Sequence, residues 1–78
     1  MQDTHDHDVS IANLNELIRK DPGNAYAFNA RGLEYRSKGD YDSAIQDFTE
    51  AIRLNPKFTD AQTNLEEAQR AKAAAIAK

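Results

Sequence analysis

The sequence matches itself when shifted by 34 residues, and this limits what the chain can fold into more than any other feature. The shift places Ile11 on Ile45, Glu16 on Glu50, Ile18 on Ile52, Arg19 on Arg53 and Pro22 on Pro56. It also places Ala27 on Ala61, Arg36 on Arg70 and Lys38 on Lys72. Leu14 on Phe48 and Asp21 on Asn55 are matches in kind. Self-similarity at a fixed period of this length marks a stacked repeat, in which one unit buries the apolar face of the next.

Each unit reads as two helices. In GDYDSAIQDFTEAIRLNP, residues 39–56, the positions Tyr41, Ala44, Ile45, Phe48, Ala51 and Ile52 share one helical face. Asp40 is placed to cap this helix, and Asn55 with Pro56 ends it. A preceding helix is expected over about 25–37, capped by Asn24, with Phe28, Gly32 and Tyr35 on one face and Ala27 and Ala30 beside it. Gly39 suits the left-handed position past its end. Another helix is expected over about 9–20, with Asp8 as its cap, Ile11, Leu14 and Ile18 on a face, and Leu17 beside them. Asp21-Pro22-Gly23-Asn24 stops it. Thr59 and Gln62 have the spacing of a capping box for a fourth helix. Ala61, Leu65, Ala68, Ala75 and Ile76 would form its apolar stripe. The run AKAAAIAK favours helix nearly to residue 78. No segment alternates apolar and polar residues, so the expected fold is all-α, an antiparallel array of four helices with short connections.

Composition narrows the functional classes. A chain of 78 residues supports one small core and buries about 60% of its unfolded surface. No run approaches the roughly 18 apolar residues of a membrane span, and MQDTHDHD is too polar and acidic for a signal peptide. The net charge of −3, with acids and bases intermixed, argues against a nucleic-acid binder. With no cysteine there is neither a disulfide framework nor a thiolate metal site, and the redox compartment is left open.

Residues 25–58 resemble a tetratricopeptide repeat. Phe28 stands where that family places a large apolar residue, Gly32 where it places a small one, and Tyr35 where it places an aromatic. Gly39, Asp40 and Tyr41 match its turn, Ala44, Phe48 and Ala51 its second helix, and Pro56 its closing residue. Small residues at 32 and 44 allow two helices to approach, and Pro56 cannot continue a helix. The one departure is Arg31, where leucine is usual. Its aliphatic stem is expected to cover apolar surface with its charge in water. Around this full repeat, residues 1–8 read as a flexible tail and 9–24 as the second half of a repeat. Residues 59–78 read as a capping helix, with Gln62, Glu66 and Gln69 at the large, small and aromatic positions and Ala73 at the turn glycine.

The resemblance implies a non-enzymatic protein–protein interaction module, an α-α superhelix that binds a protein or peptide in the groove lined by first helices. Carried onto this chain, the groove positions are Tyr26, Asn29, Leu33 and Arg36, with Asp60, Thr63, Glu67 and Arg70 from the fourth helix. Leu33 is expected to be exposed beside Tyr26 as an apolar contact. Relatives that clamp a carboxylate use lysine and asparagine where Asn29 and Leu33 stand, and Asn64 alone matches that set, which argues against chaperone docking. The alternative is self-assembly. Ile11, Leu14, Leu17 and Ile18 would form an open half-repeat face that a second copy covers as a homodimer, or the chain would be a fragment of a longer array.

Other chemistry finds little footing. His5 and His7 with Asp3, Asp6 and Asp8 make a loose cluster that nothing preorganises, so no metal is assigned, and no cofactor. There is no phosphate loop, Glu66 and Glu67 diverge around a helix, and Glu16–Arg19 and Glu50–Arg53 read as solvated i,i+3 pairs. No catalytic residue, nucleic acid or membrane is assigned.

Overall fold

A computed structural model describes residues 4–77. It has four helices: α1 (Thr4–Lys20), α2 (Ala25–Ser37), α3 (Tyr41–Leu54) and α4 (Thr59–Ala77). There is no strand among the described residues. Each helix packs on the next in chain order, and α2 also touches α4. The fold is an all-α array of helical hairpins.

Side chains and a glycine set the inner helix boundaries. The Ala27 amide donates to Asn24 Oδ1 at 3.1 Å, which satisfies one of the free donors at the start of α2. The Ser43 amide donates to Asp40 Oδ1 at 3.2 Å and does the same for α3. Gly39 has a φ of 85°. Its amide donates to Arg36 O and the Asp40 amide to Tyr35 O, both at 2.9 Å, the paired bonds of a Schellman turn. Asn55 is extended and ends α3, and its side chain accepts from the Lys57 amide at 3.2 Å.

Two helix starts differ from expectation. Helix α1 begins at Thr4 rather than near residue 9, so residues 4–8 of the expected tail are helical and Asp8 is not a cap. Contacts to α2 are the reason. His7 Nδ1 lies 2.7 Å from Glu34 Oε1, and Lys38 Nζ donates to Asp8. Residues 1–3 of that tail lie outside the described residues. The capping box does not form either. Thr59 is already helical, its hydroxyl donates to Lys57 O at 3.4 Å, and Gln62 Nε2 donates to Pro56 O at 2.7 Å. Phe58 precedes the helix instead, in the place that Asn24 holds one repeat earlier. Burial of its ring against Ala51 and Ala61 sets the start of α4.

The core has two parts. Ala44, Phe48 and Ala68 form one, with Leu33, Tyr35, Ile45 and Leu65 packed around them. Ala51, Phe58 and Ala61 form the other, with Ala25, Phe28 and Ile52. The Phe48 ring is fully buried and lies on the backbone of Gly32, where a Cβ would come within 2.6 Å of its Cε1. The stripe expected on α4 holds through Ala68 and then fails. Ala75 and Ile76 are exposed, because the last turns of α4 run past the start of α3. With Gly39, Tyr41 and the Lys72–Asp42 ion pair they line an open depression of about 300 Å³.

Arg31 also differs from expectation. Its guanidinium is not in water but turns inward onto Asp47, which is only 5% exposed. Nε donates to Asp47 Oδ2 at 2.8 Å, Nη2 to Oδ1 at 2.7 Å, and Nη1 to Asn15 Oδ1 at 2.8 Å. The cation also lies over the rings of Phe28 and Tyr35, 5.5 and 5.9 Å from their centroids. A carboxylate that is bidentate to arginine repays much of its burial. The hydrogen bonds that Arg31 donates to Asp47 hold its pKa above the ordinary value against the opposing effect of burial.

Candidate functional site

Helix α2 touches α4 along one side of the array. At one end the Tyr26 side chain stands 75% exposed, with its ring 5.0 Å from that of Phe58 and tilted by 58°. In the middle, Asn64 Nδ2 donates to Asn29 Oδ1 at 3.0 Å. Further along, Arg36 Nη1 donates to Glu67 Oε1 at 2.9 Å. The contacts between these elements therefore pass from an aromatic pair through a paired amide to an ion pair. The two amides satisfy one another, and each retains donor or acceptor capacity for a ligand.

Of the residues expected to line the groove, Asn29 meets Asn64 and Arg36 meets Glu67 across the two helices. Tyr26 is exposed on α2 against the Phe58 ring. Asp60, Thr63 and Arg70 are exposed on α4. Arg70 takes part in none of the ion pairs among the described residues. Leu33 is the exception to its expected exposure, because it is half-buried and packs against the cluster of Ala44, Phe48 and Ala68. The platform partner Phe58 escapes the sequence reading. The 34-residue shift could have found it, since it places Phe58 on the cap residue Asn24 and so shows an apolar residue in a polar place.

The other candidate sites are redrawn by the structure. Of the expected self-association face, Ile11 is buried (8% exposed), Leu14 and Ile18 are half-buried, and only Leu17 is open, at 42%. The cause is that α1 already lies on α2 and covers that side. Of the loose metal cluster, Asp3 and the His5 side chain lie outside those described, and His7 and Asp8 are engaged with Glu34 and Lys38. The described residues contain no group of three or more metal-ligating side chains, and no helix long and apolar enough to cross a membrane. Glu16–Arg19 and Glu50–Arg53 are i,i+3 ion pairs on the solvent side, and Arg53 holds the Glu50 carboxyl below its usual range.

Comparisons with known proteins bear on the central unit. The chain is similar to Superkiller complex protein 3 of Homo sapiens, 35% identical over 51 residues, which is 65% of this chain and 3% of that protein. It is 34% identical over 53 residues to the Mus musculus protein of the same name, again 3% of its length. Tetratricopeptide repeat protein 37 of Xenopus laevis is 34% identical over 50 residues. The chain thus spans a small part of each relative. The sequence model described as Tetratricopeptide repeat matches residues 25–58, which hold α2, α3 and the turn between them. Such repeats are generally protein–protein interaction modules, and residues 25–58 of this chain match one tetratricopeptide repeat.

Proposed function

We propose that the chain is a non-enzymatic module that binds an extended peptide or partner protein segment along the α2/α4 groove. The carrying observation is Tyr26, a large aromatic side chain held open at the groove end and backed by Phe58. Exposed aromatics on a rigid support make effective anchors, because little side-chain entropy is lost when they are covered. Asn29 and Asn64 offer amide groups to a peptide backbone. Arg70, exposed three residues after Glu67 on α4, offers a cation to an acidic side chain. A fitting peptide carries an apolar residue for the platform and a carboxylate a few residues away. The names of two relatives place them in a complex, in keeping with a binding role.

The test is selection from a random peptide display library on the immobilised chain, followed by titration of the enriched peptide. Tyr26→Ser and Arg70→Glu should each weaken binding about tenfold or more with unchanged helicity. Enrichment of no sequence, or binding indifferent to both substitutions, overturns the groove reading. Leu33→Asp is unsuitable as a probe, since Leu33 supports the core.

A further inference from the structure

Helix α1 carries a second surface, on the side turned away from α2 and independent of the groove. Asp6, Val9, Asn13, Leu17 and Lys20 are all exposed. They are spaced by three, four, four and three residues, which gathers them within about 80° of the helix circumference. Val9 is 47% exposed and Leu17 42%, the two most open large apolar side chains on α1. The 34-residue shift places Asn13 and Leu17 on Asp47 and Ala51, both of which are buried in α3. Asp6 and Lys20 take part in none of the ion pairs among the described residues.

The order of these residues is symmetric about Asn13. Val9 lies four residues before it and Leu17 four after. Asp6 lies seven before and Lys20 seven after. A two-fold axis through Asn13 therefore sets α1 antiparallel to α1 of a second copy. Val9 then meets Leu17 of the second copy, and Asp6 meets its Lys20, and the reverse holds on the other side. Asn13 meets its own counterpart on the axis. Its amide is both donor and acceptor, so two copies can exchange Nδ2–H to Oδ1 bonds, and one polar pair in an apolar seam fixes the register. A surface complementary to itself under two-fold rotation is the requirement for a closed dimer. The opposite end of the array lacks this character. The face of α4 corresponding to the core face of α2 bears Gln62, Glu66 and Gln69, which are exposed.

From this arrangement we infer that the Val9–Asn13–Leu17 stripe is a homodimerisation surface whose occupant is α1 of a second copy, antiparallel, with Asp6–Lys20 ion pairs at both ends. One helix per copy covers less than the roughly 1,600 Å² of a standard interface, so the dimer dissociates on dilution. Its end pairs are exposed and weaken with salt.

Sedimentation velocity on the full chain, from about 10 µM to about 1 mM, tests the proposal. The mass should rise from one copy toward two and stop there. Leu17→Asp should remain one copy throughout, with unchanged circular dichroism. Asp6→Lys and Lys20→Asp should each raise the dissociation constant about tenfold, and the double exchange should restore it. A single-copy mass across the whole series overturns the inference and leaves the stripe to another kind of occupant. Growth beyond two copies, a dimer that survives Leu17→Asp, or a double exchange no better than the single ones overturns it equally.

Discussion

Arg31 and Asp47 join α2 to α3 through a bidentate ion pair in which the carboxylate is almost completely withdrawn from water. The pair joins the two helices of the central hairpin. Removing one partner is expected to do more harm than removing both. Asp47→Ala leaves a guanidinium among Phe28 and Tyr35 with no anion and should destabilise the chain by about 3 kcal/mol. Arg31→Leu combined with Asp47→Ala should recover most of that loss. Thermal melts of the two single variants and the double variant measure the difference.

The contact between Gly32 and Phe48 leads to a second expectation. Alanine normally favours a helix by about 1 kcal/mol over glycine. Here its methyl group would meet a ring that has nowhere to go, and overpacking of this kind typically destabilises by about 1–3 kcal/mol. Gly32→Ala should therefore lower the melting temperature. Phe48→Leu should be less damaging beside Ala at 32 than beside Gly, a coupling that a double-mutant cycle reads directly.

Gly39 makes a third case. Its left-handed backbone disfavours any Cβ, although the space around it is open. Gly39→Ala should cost about 1 kcal/mol and Gly39→Asn less, because asparagine tolerates that region best among the other residues. Urea denaturation with an unchanged m-value would locate the effect in stability alone.

The early turns of α1 depend on partners far along the chain. Lys38→Met removes the contact to Asp8, and Glu34→Gln alters that to His7. Each should speed amide exchange at the N-terminal end of α1 while leaving α3 unchanged, as hydrogen exchange read by residue would show. An equal rise across all helices would contradict this local role.

These cases show which features are legible in the sequence. Asn24, Gly39 and Asp40 are readable because caps and turns depend on residues within a few positions of each other. The repeat is readable because apolar spacing reports which face is buried. Arg31 is misread because its partner is sixteen residues away on another helix, and an aspartate in mid-helix gives no sign of being buried. The capping box at Thr59 is a valid local pattern that the packing of Phe58 displaces. Leu33 in the groove and Ile11 on α1 are less open than their spacing implies, since exposure depends on where the neighbouring helix lies. The start of α1 is hidden from the sequence because ion pairs to α2, rather than local propensity, extend it.

One ion pair occurs twice. Lys38 meets Asp8 between α2 and α1, and one period later Lys72 meets Asp42 between α4 and α3. The core residues around the two pairs differ, yet the same lysine reaches the same aspartate across the same kind of helix junction. Two equivalent tie points lie one 34-residue period apart. Matched charges at the rim thus tie each hairpin in the same way, and each unit can vary its interior while keeping step with the last.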